Sequence, residues 1–445
     1  MQKSNFKIFI LFSLMSMFLG AIAGAIIFII LKILNAGIDI LWSTSHSLIF
    51  NIIICTVGAI LIGLLQRKHG ILPDNTEEVM EKIKKDGGYP YNKLGIIAIA
   101  VLLPLIFGGA LGPEAGLVGA IAGLCCWIGD SLKNRKNKLI TLWENKNNSQ
   151  NNTAEVIAET GTAVVLSVVF GSPLMGIIGN IEPDNKSENV KDKFGKKRNR
   201  IIIYCMGVIG GLIGMNLCGK GLTILANMTS NNLLHKLANS SGLPRFAPSG
   251  NFEWSQFKWY FVILLISIIL AFFYCSFEWI AQKLASLVKK TRILSCLIAG
   301  LSVAIIGYFV PGTMFSGEHE LGDLITNWQS YSPRTLVIIG LFKLILVSLC
   351  ICFGWKGGNI FPILFSGTAI AYAFAIIVGI DGVFVSAVLL AGLHAYIGRK
   401  PITTVAILLL CFPPIYLPIM LISAIIAGKI PTPFNPTPIE TEVTK

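Results

Sequence analysis

An all-helical, multi-pass membrane protein with several helices broken at membrane depth is what this 445-residue chain predicts. Three observations carry that reading. First, 54% of the residues are hydrophobic, only 13% are charged, and the mean hydropathy is +0.71; soluble globules do not reach that balance. Second, apolar runs of spanning length recur along almost the whole chain. Third, Gly and Pro interrupt several of those runs, at Leu103-Pro104, Gly171-Ser172-Pro173, Phe361-Pro362 and Pro413-Pro414. A spanning helix needs about 20 apolar residues. Broken helices at that depth survive only when buried in protein or lining a polar path. Transporters and channels need such a path, whereas simple anchors do not.

Taken in order, the first run covers 6–34. It is longer than a signal-peptide core and lacks a clear cleavage site, so it reads as a retained helix. Runs 46–65, 94–111 and 114–129 follow, then 160–181, which is predicted to enter the bilayer and return at Gly171-Ser172-Pro173. After 201–218 comes a polar stretch, 228–258, that divides the chain into two halves, roughly 45–225 and 255–430. The second half carries runs 259–277, 293–310, 335–353, 359–379, 383–397 and 401–428. Residues 1–430 therefore read as one membrane domain and 431–445 as a short proline-rich tail, with no cytoplasmic regulatory domain.

The formal net charge of +13 does not point to nucleic acid, because the basic residues lie in short loops between apolar runs. Five Lys/Arg fall in 133–146 and seven in 186–200, and the positive-inside tendency assigns both loops to the cytoplasm. The ten cysteines are scattered through apolar segments without metal spacing and read as small packing residues. No cofactor and no metal site is expected.

Glu114 is the only charged residue between Lys93 and Asp130. A carboxylate inside such a run is costly and marks a functional site by default. It sits in Gly112-Pro113-Glu114-Ala115-Gly116, which reads as a helix starting inside the membrane. The unpaired backbone N–H groups of a helix start attract anions. In the second half, Gly357-Gly358-Asn359-Ile360-Phe361-Pro362 opens an apolar helix in the same way, and Arg399-Lys400-Pro401 opens another. Paired interrupted segments in matching order point to an inverted-repeat transporter with its site near the midplane.

These segments resemble those of the CLC family of chloride channels and chloride/proton exchangers. Gly357 to Pro362 is similar to the family's Gly-Gly-x-Phe-x-Pro helix start, and Gly112-Pro113-Glu114 to its gate segment. Phe170-Gly171-Ser172-Pro173-Leu174-Met175-Gly176, followed by Glu182, and Lys400-Pro401-Ile402-Thr403 match two further segments in the right order. The resemblance implies a CLC-type inverted repeat of tilted and broken helices, and a homodimer with one anion path per subunit. It implies that Glu114 is the gating glutamate, that Gly112, Ala115, Gly116, Gly358, Asn359, Ile360 and Phe361 line the anion site, and that Glu182 lies on a proton route. The expected partners are chloride or another small anion, protons and membrane lipid, in a bacterial-type cell membrane. Channel and exchanger both stay open, as does fluoride in place of chloride.

The chain also departs from the family pattern. Pro113 stands where a basic residue is usual, and Lys356, the only charge between Lys343 and Asp381, is expected to restore positive potential. Residues 68–74 carry no pore serine, 430–436 carry no pore tyrosine, and Pro183 replaces an acid of the proton route. Backbone N–H groups of Asn359, Ile360 and Phe361 are then expected to carry more of the anion binding. Glu182 is also the kind of residue that ends a helix at the cytoplasmic surface. Lys343 reads as paired with an acid or a carbonyl in the bundle, His394 as a packed residue, and Glu318-His319-Glu320 as solvated loop residues. An intramembrane enzyme would need acids, a nucleophile or metal ligands converging in one plane, and no such spacing is present. A cation transporter would want more than one deep acid.

Overall fold

The structure, a computed structural model, describes residues 2–44, 47–134, 151–179, 194–229, 245–246, 254–288 and 291–433. Every regular element among them is helical, and eight helices are long and apolar enough to cross a membrane. Glu182, the tail from 434 and most of the two basic loops lie outside the described residues.

The chain opens with α1 (Gln2–Trp42), a helix extending past its hydropathic core at both ends. In α2 (Leu48–His69), Ser47 caps the start by accepting from the Phe50 N–H, and Arg67, Lys68 and His69 crowd the negative end of the helix dipole. The short α3 (Thr76–Asp86) lies within the polar stretch 67–93. Asn75 and Glu78 form a capping box there, and Gly87 ends the helix at φ 72°. Then come α4 (Leu94–Ile106), with Pro104 near its end, and α5 (Glu114–Asn134), which begins at the acid itself. The run 160–181 divides as expected, into α6 (Asn151–Val169) and α7 (Pro173–Gly179), with Gly171 turning at φ 62°. A 36-residue helix, α8 (Phe194–Thr229), follows.

The second half supplies α9 (Tyr260–Val288), α10 (Arg292–Phe309), α11 (Glu318–Asn327) and α12 (Pro333–Cys352). Next are α13 (Ile360–Val378), α14 (Gly382–Gly398), α15 (Pro401–Cys411) and α16 (Leu417–Lys429). The run 401–428 is thus interrupted at Pro413-Pro414, because proline offers no N–H to continue the ladder. Glu318-His319-Glu320 corrects the loop reading: these residues form the first turn of α11, where the positive end of the dipole favours both acids.

Two compact units emerge. The first comprises Met1–Asp39, Pro73–Val101 and Pro113–Gly242. Within it α6 packs against both α5 and α8, and α3 rests on α5 and α6. Helix α1 crosses α8 at glycines: a Cβ on Gly20 would stand 2.0 Å from the Gly207 carbonyl oxygen, and one on Gly24 2.0 Å from that of Gly211. Small residues at such a crossing bring backbones together where lipid offers no hydrophobic drive. The second unit comprises Ile40–Leu72, Leu102–Gly112 and Leu243–Lys445. There α2 packs on α10, α12 on α13, and α14 on α9, α13 and α16.

Candidate functional site

The second unit holds two of the glycine-rich interruptions side by side. After α4, the N–H of Gly109 bonds the Pro104 carbonyl at 2.8 Å and the chain runs on to Gly112. Gly112 and Gly358 then exchange two backbone hydrogen bonds, each 2.7 Å, as an isolated antiparallel bridge. The two breaks, so far apart in number, are therefore tied together by their main chains. The glycines make this approach possible: a Cβ on Gly357 would stand 2.8 Å from the Leu111 Cβ and 3.2 Å from the Gly112 oxygen. If this bridge shapes an ion path, as the sequence resemblance implies, Gly357→Ala is expected to push the two segments apart and cut ion flux several-fold while leaving helical content intact. Flux assays paired with circular dichroism check this, and unchanged flux would show that the close approach is dispensable.

The 353–358 segment is fixed from several sides. Trp355 is fully buried and donates its indole N–H to the Cys296 carbonyl at 3.0 Å. Ser295 donates to the Phe353 carbonyl at 3.0 Å, and the Gln66 amide donates to the Gly354 carbonyl. Gly354 adopts φ 99°, a conformation that a side chain would strain. Lys356 follows Trp355 and is half-buried, two residues before Gly358.

At the start of α13, Asn359 is the N-cap residue, yet its side chain makes no cap hydrogen bond. Its amide instead donates to the Tyr274 hydroxyl at 3.3 Å. Tyr274 is fully buried on α9. Ile360 begins the helix, and Phe361 is 1% exposed behind it. The Asn359–Tyr274 pair joins residues 85 positions apart, which no sequence period could have signalled.

The first unit holds Glu114, Ala115 and Gly116. Glu114 is the first residue of α5 and 1% exposed, and Ala115 is 8% exposed. Gly116 fits closely, since a Cβ there would meet Val101 at 2.6 Å and Pro73 at 3.1 Å. Pro73 leads into a polar cluster that the sequence reading missed. The buried Asp74 carboxylate accepts from the Tyr89 hydroxyl at 2.7 Å and pairs with the half-exposed Lys82 ammonium. Burial and the neighbouring carboxylate push the Tyr89 phenol well above its ordinary range, so it remains a donor. A second missed cluster joins α6 to α8: Arg200 bonds Glu155 at 3.2 Å and Glu159 at 3.4 Å, and the Tyr204 hydroxyl also donates to Glu159. The four-residue spacing of Glu155 and Glu159 placed both acids on one helix face, and that was the available signal.

Lys343 has two partners in the second unit, both carbonyls. It is fully buried on α12 and donates to the Gly312 and Met314 carbonyls at 3.0 Å each, with its ammonium 4.6 Å from the Phe365 ring centroid. That loop in turn reaches the first break, where the Phe315 N–H bonds the Gly108 carbonyl at 3.2 Å. His394 is buried within α14, 7% exposed.

Comparison with known proteins agrees with this architecture. One solved structure, a CLC-type fluoride/proton antiporter, superposes with a TM-score of 0.70 at 17% identity, covering 95% of each chain. A slow cyanobacterial chloride/proton antiporter gives a TM-score of 0.69 at 13% identity over 94% of each chain. A eukaryotic CLC transporter gives 0.64 at 15% identity, over 95% of this chain and 72% of its own. In sequence, the chain is 23% identical over 374 residues to the Escherichia coli (strain 55989) protein named "Putative ion-transport protein YfeO", covering 81% of this chain and 78% of the relative. The family model described as voltage gated chloride channel matches residues 58–430. The protein is thus an integral, multi-pass membrane protein with the CLC-type fold, and it belongs to the voltage gated chloride channel family.

Proposed function

We propose that this protein moves chloride across a bacterial cell membrane, past the helix starts at Gly112–Gly116 and Asn359–Phe361, with Glu114 as the gate. The observation that carries the reading is the reciprocal Gly112–Gly358 pairing at 2.7 Å, with the buried Glu114 only two residues further along the chain. Helix starts present N–H donors and the positive end of a dipole. A carboxylate and a chloride carry the same charge and suit the same donors, so each excludes the other. Protonation neutralises the carboxylate and releases the donors to the anion. In an exchanger the same event loads a proton; in a channel it only opens the path.

The CLC resemblance supports a homodimer with one path per subunit, and transport rather than catalysis. Fluoride is the alternative cargo. With no serine in 68–74 and no tyrosine in 430–436, backbone N–H groups carry more of the binding, which suits a small, hard anion. Simultaneous recording of anion and proton flux in proteoliposomes, with chloride, fluoride, nitrate and bromide in turn, tests the reading. Coupled flux identifies an exchanger, anion flux alone a channel, and no flux of any of the four overturns the proposal.

Lys356 adds an electrostatic contribution beside the second break. Lys356→Gln is expected to lower anion flux several-fold at low anion concentration, with a smaller effect at saturation. Flux indistinguishable from wild type at low anion removes Lys356 from the path.

A further inference from the structure

The first turns of α5 are held by a clamp built from the chain on either side of α3. Gly116, Gly119 and Gly123 recur at helical spacing and share one face of α5. The segment before α3 lies on the first of them, since a Cβ on Gly116 would stand 3.1 Å from the Pro73 ring. The segment after α3 lies on the other two. A Cβ on Gly119 would stand 3.1 Å from the Tyr89 hydroxyl, and one on Gly123 3.2 Å from the Pro90 carbonyl oxygen. The Tyr89 N–H donates to the Cys126 Sγ at 3.3 Å, so this stretch follows α5 for about three turns. Between the two segments, α3 buries Val79 and Ile83 completely.

One buried hydrogen bond closes the clamp. The Tyr89 hydroxyl donates to the Asp74 carboxylate at 2.7 Å, across fifteen residues of chain, and both side chains are buried. Lys82 of α3 meets the same carboxylate oxygen at 2.5 Å from the water side, where its side chain is half-exposed. The other charge close to Tyr89 is Glu78, which is engaged in the capping box with Asn75. From α5 itself no charge falls between Glu114 and Asp130. The glycine face of α5 has no side chains to interlock with its neighbours, so its seat is shaped from the other side, by Pro73 and Tyr89. Helix α5 begins at Glu114, two residues before Gly116 and five before Gly119. The clamp therefore grips the helix within its first two turns.

We propose that Asp74 and Tyr89 are positioning residues for Glu114: by fixing where α5 starts, they set the pH at which anion flux turns on. The inference rests on the reading of Glu114 as the gate. On that reading backbone donors hold the ionised acid, and a displaced helix start holds it less well, so protonation wins at higher pH. The test measures anion flux across a pH series for the full chain in proteoliposomes, with melting temperature in parallel. Tyr89→Phe keeps the ring and removes only the hydroxyl. It is expected to move the flux midpoint up by about one pH unit, a tenfold change in the balance between the two forms. Gly119→Ala, whose methyl would press on the Tyr89 hydroxyl, is expected to move it the same way and takes its place where Tyr89→Phe does not fold. Lys82→Gln leaves the buried bond in place and removes a screened surface charge, so it is expected to keep the wild-type midpoint. A merely structural contact would lower melting temperature, or flux at every pH, and leave the midpoint where it is. A midpoint that stays or falls in Tyr89→Phe, or a rise in Lys82→Gln as large as in Tyr89→Phe, overturns the proposal. Glu114→Gln separates the two ideas: a wild-type profile in that variant refutes the gate itself, whereas a flat profile there with an unmoved midpoint in Tyr89→Phe refutes only the positioning role.

Discussion

Glu114→Gln is expected to make anion flux independent of pH. On the proposed reading, the ionised carboxylate competes with the anion for the same donors, so wild-type flux should rise as pH falls and Glu114 protonates. Well above the midpoint the protonated fraction, and flux with it, changes about tenfold for each pH unit. Glutamine copies the shape of the protonated acid and cannot ionise. The variant should therefore carry anions at all pH values at the rate wild type reaches in acid, and in an exchanger its proton flux should vanish. Glu114→Ala should likewise be pH-independent, because it also lacks the charge. The burial of Glu114 supports this expectation: 1% exposed and flanked by uncharged sequence from 94 to 129, its charge has little water to screen it, so removing the charge matters. Fluorescent anion-flux assays across a pH series provide the measurement. A Gln variant that keeps the wild-type pH profile would remove Glu114 from the gate.

The breaks were legible because the residues that make them are chemically distinctive. Gly357, Gly358 and Pro362 dictated a helix start within two residues of where α13 begins, and Pro173 marked the start of α7. Glu114 stood out because nothing near it in sequence is charged. Hydropathy was a poorer guide to helix length. It shows 201–218 where α8 runs from Phe194 to Thr229, because Lys196, Lys197, Arg198 and Arg200 before the apolar run and Lys220 after it end the run but not the helix. Helix α3 was missed for a related reason: it is polar and only 11 residues long, although Asn75 and Glu78 spelled out its capping box. The partners of Asn359 and Lys343 were not legible at all. Tyr274 and the Gly312–Met314 loop lie far from them in sequence, and only packing of α9 and α12 brings them close. For Lys343 the sequence could say only that a buried ammonium must find oxygen atoms.

Lys343→Met should lower both stability and transport rate while leaving the pH profile of flux unchanged. The side chains are similar in length and methionine fills space adaptably, so a large cavity is not the cause. What is lost is the donor to two buried carbonyls, Gly312 and Met314, each at 3.0 Å. A buried acceptor left without its donor costs about 1–3 kcal/mol. Removing the ammonium also relieves its own desolvation, which reduces the net loss. The expected sign is still destabilising, because two buried carbonyls lose their donor at once. The effect on transport follows from what the loop supports. Phe315 holds Gly108 through its N–H at 3.2 Å, and Trp42 packs edge-on against Phe315 while bonding the Ile106 carbonyl at 2.9 Å. These contacts steady the 106–112 segment that ends at the Gly112–Gly358 bridge. Loosening them should misplace the bridge and slow anion passage, but Glu114 keeps its proton chemistry, so the pH dependence persists at a lower rate. Melting temperature and flux at several pH values test both parts together. A variant that melts and conducts like wild type would show that the loop needs no anchor at Lys343, and one that loses the pH dependence would tie this lysine to the gate itself.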